Sequence, residues 1–275
     1  MADSRPIGIF DSGLGGLTVV REIVKLMPNE NIVYFGDTGR VPYGTKSNET
    51  IIKYAKQDEN FLLSKGVKLI VAACGTVSSV ASQTKDLLPV PFVEVVSHAS
   101  KHAVDVTKTL KIGVIGTPAT IKSNSYKKHI LSLNPNAEVY QQACPLFVPL
   151  VEEGWIDRND SVTVATVSRY LKPLKDEGVD VLIMGCTHYP VLTDIIRDYM
   201  GKGVTLVNTG EYTAKAVLEY LNKNGIGNTS NTKGTQSYYV SDATETFSLT
   251  ASILMGQDVK ANVKRVDIET MGELI

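Results

Sequence analysis

Two cysteines of this 275-residue chain sit at the ends of apolar β-like runs and just before hydroxyl residues: Cys74 in LIVAACGT (69–76) and Cys186 in VLIMGCTH (181–188). A thiolate can take a proton from a carbon acid, and a thiol on the opposite face can return one. Two matched thiols therefore suit inversion of a stereocentre without a cofactor. His188, two residues beyond the second thiol, adds a group that can lower a thiol pKa from about 8.5 toward neutrality. Pro190 suits the first turn of a helix. The third cysteine, Cys144, precedes a proline in an apolar stretch and reads as a packed thiol. His98, His102 and His129 show no partner pattern and receive no role.

Three more segments carry groups able to hold a small ligand. In FDSGLGGL (10–17) the glycines follow a strand and precede a helix, which lets backbone N–H groups approach an anion closely. The full dinucleotide-binding spacing and the phosphate-loop lysine are absent. Asp11 would also repel a pyrophosphate, so a carboxylate or an ammonium ligand fits better. GDTGRVPYGTKS (36–47) is dense in Gly, Pro and hydroxyls yet carries Arg40, Tyr43 and Lys46, as a binding loop at the mouth of a cleft does. Glu152, in VEEGW (151–155), is an acid near the only Trp that can reach such a cleft; a solvated helix end explains it nearly as well.

These groups need a frame. Short β-branched runs alternate with stretches of helical period, the pattern of βα units on a parallel sheet, so the expected fold class is α/β. Strands are expected over 6–10, 31–35, 67–73, 91–96, 111–116, 137–142, 179–185, 203–208 and 236–241. Helices are expected near 15–27, 49–65, 76–86, 118–132, 160–177, 190–200, 210–223 and 244–255, with an exposed loop at 222–234. A long-range echo runs through the chain: IGIFDS (7–12) resembles IGVIGT (112–117), IVYFGDT (32–38) is matched by EVYQQAC (138–144), and the cysteine segments form a third pair. This points to two pseudo-symmetric α/β lobes with mainly parallel sheets. Open α/β sheets bind ligands at the carboxyl ends of their strands, so facing lobes would gather Ser12, Cys74, Thr117 and Cys186 around one cleft.

Composition narrows the partners. With 28 Lys plus Arg against 29 Asp plus Glu, there is no basic excess for nucleic acid and no polybasic anchor for lipid. The first ten residues lack a signal-peptide pattern, and no apolar run approaches the roughly 18 residues of a membrane span. Widely spaced cysteines without C-x-x-C fit neither a disulfide framework nor a thioredoxin-type motif. The expectation is a soluble cytoplasmic protein with free thiols and small-molecule partners, bound to neither nucleic acid nor membrane.

Taken together, FDSGLGGLTV, the DTGRVPYG loop, the AACGT and GCTHYP cysteine segments and IGVIGTPAT resemble bacterial glutamate racemase over essentially the whole chain. The resemblance implies a racemase that needs no cofactor and no metal, making D-glutamate for peptidoglycan in a cleft between two lobes. Cys74 and Cys186 would be the acid/base pair, with Asp11 assisting Cys74, and Glu152 with His188 assisting Cys186. Asp11, Ser12, Pro42, Tyr43, Gly44, Gly75, Thr76, Thr117, Thr120, Thr187 and His188 would surround glutamate. Many relatives have Asn where this chain has Gly75, so only backbone can contact substrate there. The resemblance also divides the lobes as 1–97 plus 210–275 and 98–209, and leaves a homodimer open.

The residues alone leave rival classes open. An aspartate racemase shares the two-lobe, two-cysteine plan. A cysteine hydrolase or transferase would use one thiol as a nucleophile and leave the other without a task. A zinc protein could collect Cys74, Cys186, His188 and Asp11, and an amino-acid-binding protein would show affinity without turnover.

Overall fold

The computed structural model describes residues 3–242, 247–256 and 263–270. The first sheet takes β1 (Ile7–Asp11), β2 (Ile32–Gly36), β3 (Leu69–Ala72) and β4 (Phe92–Glu94). The second takes β5 (Lys111–Gly116), β6 (Glu138–Ala143), β7 (Val181–Met184) and β8 (Thr205–Asn208), and the chain then returns to the first sheet with β9 (Gln236–Val240) and β10 (Val263–Arg265). The orders are β10-β9-β2-β1-β3-β4 and β6-β5-β7-β8, with every pair parallel. The order β2-β1-β3-β4 is thus repeated as β6-β5-β7-β8, which gives the internal sequence echo its structural counterpart. The central strands β1, β3 and β7 are buried at every residue. Burial on both faces is why they read as unbroken apolar runs.

The helices are α1 (Leu17–Leu26), α2 (Asn48–Ser64), α3 (Gly75–Val80), α4 (Val95–Val106), α5 (Pro118–Ser123), α6 (Ser125–Leu133), α7 (Phe147–Glu152), α8 (Ser161–Asp176), α9 (Thr193–Met200), α10 (Thr209–Asn224) and α11 (Phe247–Met255). Several start where a side chain caps them: Ser47 accepts from the Thr50 N–H, Thr117 from Thr120 and Asp160 from Thr163. One apolar cluster runs from Ile7, Ile9 and Val71 to Leu182, Met184 and Tyr189, so both sheets share a core. None of the described helices is long and apolar enough to cross a membrane.

The nine expected strands are all present within two residues at either end. Three elements were not expected: α4, α7 and β10. The run 91–96 reads as strand throughout in sequence, but Glu94 accepts from the N–H groups of Val96 and Ser97 and starts α4 at Val95. The buried positions Val95, Ala99 and Ala103 then follow helical spacing. The stretch expected as helix 118–132 is two helices, broken at Asn124 with φ 56°, and 76–86 divides into α3 and a 3-10 turn at Ser82–Leu87. The first residues of the expected helix 244–255 lie outside the described residues.

Candidate active site

In each sheet the first strand lies between its second and third, so the chain leaves β1 and β3, or β5 and β7, in opposite directions and opens a crevice at their carboxyl ends. Ser12 follows β1 and Cys74 follows β3. Thr117 follows β5 and Cys186 follows β7. All four line one cavity of about 320 Å³, at the small end of the range for ligand sites. Its lining also includes Pro42, Tyr43, Gly44, Gly75, Thr76, Glu152, Thr187 and His188. Among the described residues no three His, Cys, Asp or Glu side chains gather as a metal site.

Two glycines set how closely the halves meet. A Cβ on Gly15 would fall 2.2 Å from Thr187 Oγ1 and 2.6 Å from His188 Nδ1, so the turn after β1 presses directly on the Cys186 segment. Thr18 fastens the same contact by donating to the Thr187 carbonyl at 2.8 Å. A Cβ on Gly75 would fall 2.2 Å from the Gly185 carbonyl oxygen. Absence of a side chain at position 75 is therefore a packing requirement of this arrangement, beyond a missing substrate contact.

Around Cys74 the setting disfavours charge. Its Sγ is buried 3.4 Å from Ser12 Oγ. Burial, followed by the nearby Asp11 carboxylate, pushes the thiol up to about 12, with Ser12 and the Val77 N–H pulling the other way. Val77 belongs to the first turn of α3, whose N–H groups have no helical partners. Asp11 is buried behind the cavity and does not line it. Burial raises its carboxyl, while the His188 charge and the Gly16 and Gly13 N–H groups oppose the rise.

Beside Cys186 the structure places a histidine held by a carboxylate. His188 Nδ1 lies 3.9 Å from Cys186 Sγ, and its Nε2 lies 3.1 Å from Glu152 Oε1. Burial alone would lower the imidazole pKa, but its bonds to Cys186 and Glu152 outweigh that and lift it to about 10. The ring is a cation at neutral pH, with one N–H toward the thiol and one toward the carboxylate. Glu152 has 46% of its side-chain surface exposed, so solvent screens its share.

The remaining expected residues divide. Thr76 and Thr117 meet through their hydroxyls at 3.0 Å across the two halves. Thr120 does not border the cavity; its hydroxyl lies 3.0 Å from that of Thr117, which it positions. Tyr43 lines the cavity, but its hydroxyl bonds Asp37 and Asp58, which do not. Arg40 joins those carboxylates instead of a ligand, and Lys46 is not among the lining residues. Cys144 is fully buried, and burial pushes its thiol up.

The apolar wall went unrecognised in the sequence: Pro145, Val148 and Pro149 from α7 and the turn before it, with Val41 and Pro118. The spacing Pro145, Val148, Pro149 and Glu152 is that of one helical face, and it was the only available signal in PLFVPLVE.

Residues 7–217 match the family model described as Asp/Glu/Hydantoin racemase. A glutamate racemase of Syntrophus aciditrophicus is 45% identical over 264 residues, covering 96% of this chain and 97% of that one. The crystal structure of glutamate racemase from Francisella tularensis in complex with D-glutamate superposes with a TM-score of 0.90 at 35% identity, covering 98% of this chain and 99% of that one. That of the Thermus thermophilus enzyme in complex with β-chloro-D-alanine gives 0.87 at 40% identity, covering 98% and 99%.

Proposed function

The chain belongs to the Asp/Glu/hydantoin racemase family, and from that premise we propose that it interconverts L- and D-glutamate by a two-thiol acid/base mechanism, without a cofactor, and supplies D-glutamate for peptidoglycan. The observation that carries the reading is the delivery of one cysteine by each sheet, from equivalent strand ends, into a single cavity. Relatives matching nearly the whole chain are named for glutamate, which favours that substrate over aspartate. Free thiols suit a reducing compartment, and the cytoplasm is the proposed setting.

With L-glutamate bound, Cys186 acts as the base. The His188 cation stabilises its thiolate, and the thiolate removes the α-proton. Cys74, held as a thiol by burial, gives its proton to the opposite face of the carbanion. D-glutamate exchanges the roles, with Cys74 as base and Asp11 assisting it. A thiol near 12 is a poor source of thiolate in an empty site but a strong base once formed. The substrate ammonium entering this buried space supplies the counter-charge. Charge developing beside the α-carboxylate is met by the hydroxyls of Ser12, Thr76, Thr117 and Thr187 and by N–H groups opening α3.

Circular dichroism of purified protein with each enantiomer of glutamate and of aspartate, with no cofactor added, tests the assignment. Glutamate signal is expected to decay to zero from both sides, before and after exhaustive dialysis against EDTA. Turnover of aspartate alone, or activity lost on dialysis and restored by zinc, overturns it.

A further inference from the structure

One wall of the cavity, Val41 to Thr45, follows the 3-10 turn Thr38–Arg40 and ends in a second one, Tyr43–Thr45. What holds it is a charge cluster outside the cavity lining, with Asp37 and Asp58 fully buried and Arg40 nearly so. Arg40 Nε donates to Asp37 Oδ2 at 2.6 Å, Nη2 to Asp58 Oδ1 at 3.1 Å and Nη1 to Glu269 Oε1 at 3.2 Å. Its Nη1 also donates to Gln57, and the guanidinium lies 4.0 Å over the Tyr54 ring. Tyr43 closes the ring of contacts, since its hydroxyl reaches both Asp37 and Asp58. One cation thereby ties together the end of β2, the middle of α2 and the 3-10 turn Ile268–Thr270, and the turn between Arg40 and Tyr43 is stretched over the cavity.

A cluster of this kind adds little net stability, because desolvating its charges offsets their attraction. It does impose direction: the guanidinium offers five N–H donors in a fixed plane, and four bonds here aim them at acceptors of set position. Gly44 lies against Thr117, where a Cβ would come 3.1 Å from the threonine Cβ, so the aim of this turn also fixes its approach to the second sheet. We infer that Arg40 is a positioning residue that sets substrate affinity, by holding the Val41–Thr45 turn in the shape that completes the cavity. The acid/base atoms lie on other elements, so the effect falls on binding more than on chemistry.

This inference rests on the proposed racemase activity, and its test has one arm that does not. In Arg40→Lys and Arg40→Met, backbone hydrogen exchange is expected to quicken over residues 38–46 while β1 exchanges as in the parent. For glutamate, KM is expected to rise about tenfold in Arg40→Met, with kcat changed less than threefold. Arg40→Lys should fall between, since it keeps the charge without the fork, and it decides the matter if Arg40→Met does not fold. Tyr43→Phe should raise KM by a smaller factor and add little on top of Arg40→Met, because both release one turn. Unchanged exchange over 38–46, or quickened exchange with unchanged KM, overturns the inference. A parent protein that does not turn over glutamate counts against the activity alone, and the exchange arm still decides whether Arg40 holds the turn.

Discussion

The two flanks of the cavity are built alike in backbone and oppositely in charge. Cys74 and Cys186 each follow the third strand of a four-strand unit of the same order. Yet Cys74 has a buried carboxyl behind it and is pushed up to about 12, whereas Cys186 faces an imidazolium near 10 that is itself held by Glu152. The difference teaches that a repeated βα unit fixes where a thiol stands, while the charge beside it comes from whichever side chain the rest of the fold brings there. In the proposed mechanism the empty enzyme thus holds Cys74 as a thiol and keeps an imidazolium beside Cys186.

The largest expected effect comes from removing either member. Cys74→Ala and Cys186→Ala should each slow racemisation at least about 10³-fold in both directions, since each direction needs one thiol as base and the other as acid. In D₂O the parent protein should place deuterium at Cα of early inverted product while recovered substrate stays largely protiated. Equal early labelling of both would point to a single shared base and end the two-thiol comparison.

His188→Asn sharpens the comparison by removing the cation from one flank only. The equilibrium constant of a racemisation is one, so kcat/KM must fall equally in both directions, by about 10²-fold, even though only one cysteine has lost its neighbour. The distinguishing readout is pH. The parent should lose activity as His188 deprotonates through about pH 10, and the variant should lack that limb. The same shift acts on folding: a histidine pKa raised from 6.5 to about 10 contributes stability fully below pH 6.5, and that contribution is lost as pH rises through about 10. Denaturation midpoints of parent and variant should therefore converge across that window. Parallel stability curves from pH 6 to 10.5 would show that the His188 pKa is not raised in the folded state.

Glu152→Gln should have a smaller effect, about three- to tenfold on kcat/KM, because the carboxylate is half exposed and acts on Cys186 only through the imidazole. It should also move the alkaline limb to lower pH. A loss as large as that of His188→Asn would mean that Glu152 touches the substrate. The smallest effect belongs to Cys144→Ala, a packed thiol outside the cavity. Near-parental turnover is expected, with about 1 kcal/mol of stability lost in chemical denaturation. Turnover reduced to the level of Cys74→Ala in folded protein would show that the wrong pair had been matched.

Much of this arrangement was legible in the chain itself. Strand runs such as VKLIVAA and VDVLIMG could be read because residues buried on both faces of a parallel sheet must be apolar throughout, whatever surrounds them. The echo of β1, β2 and β3 in β5, β6 and β7 was visible for the same reason. Cys74, Cys186, Ser12 and Thr117 could be named because strand ends are where such sheets expose functional groups. By contrast α4 was hidden, since its β-branched opening continues the pattern of β4 and only the Glu94 cap turns the chain into a helix. The wall formed by α7 was equally hidden within an apolar stretch.

The sequence by itself determined which residue types stand at the strand ends, because local propensity and burial act over a few neighbouring positions. Tertiary structure alone decided which of them share a charge. Glu152 reaches His188 across 36 positions of chain, and Arg40 finds Asp58 and Glu269 on two other elements. Electrostatic interaction depends on distance through space and on exclusion of water, and neither is fixed until the crossovers have closed both sheets around one cavity.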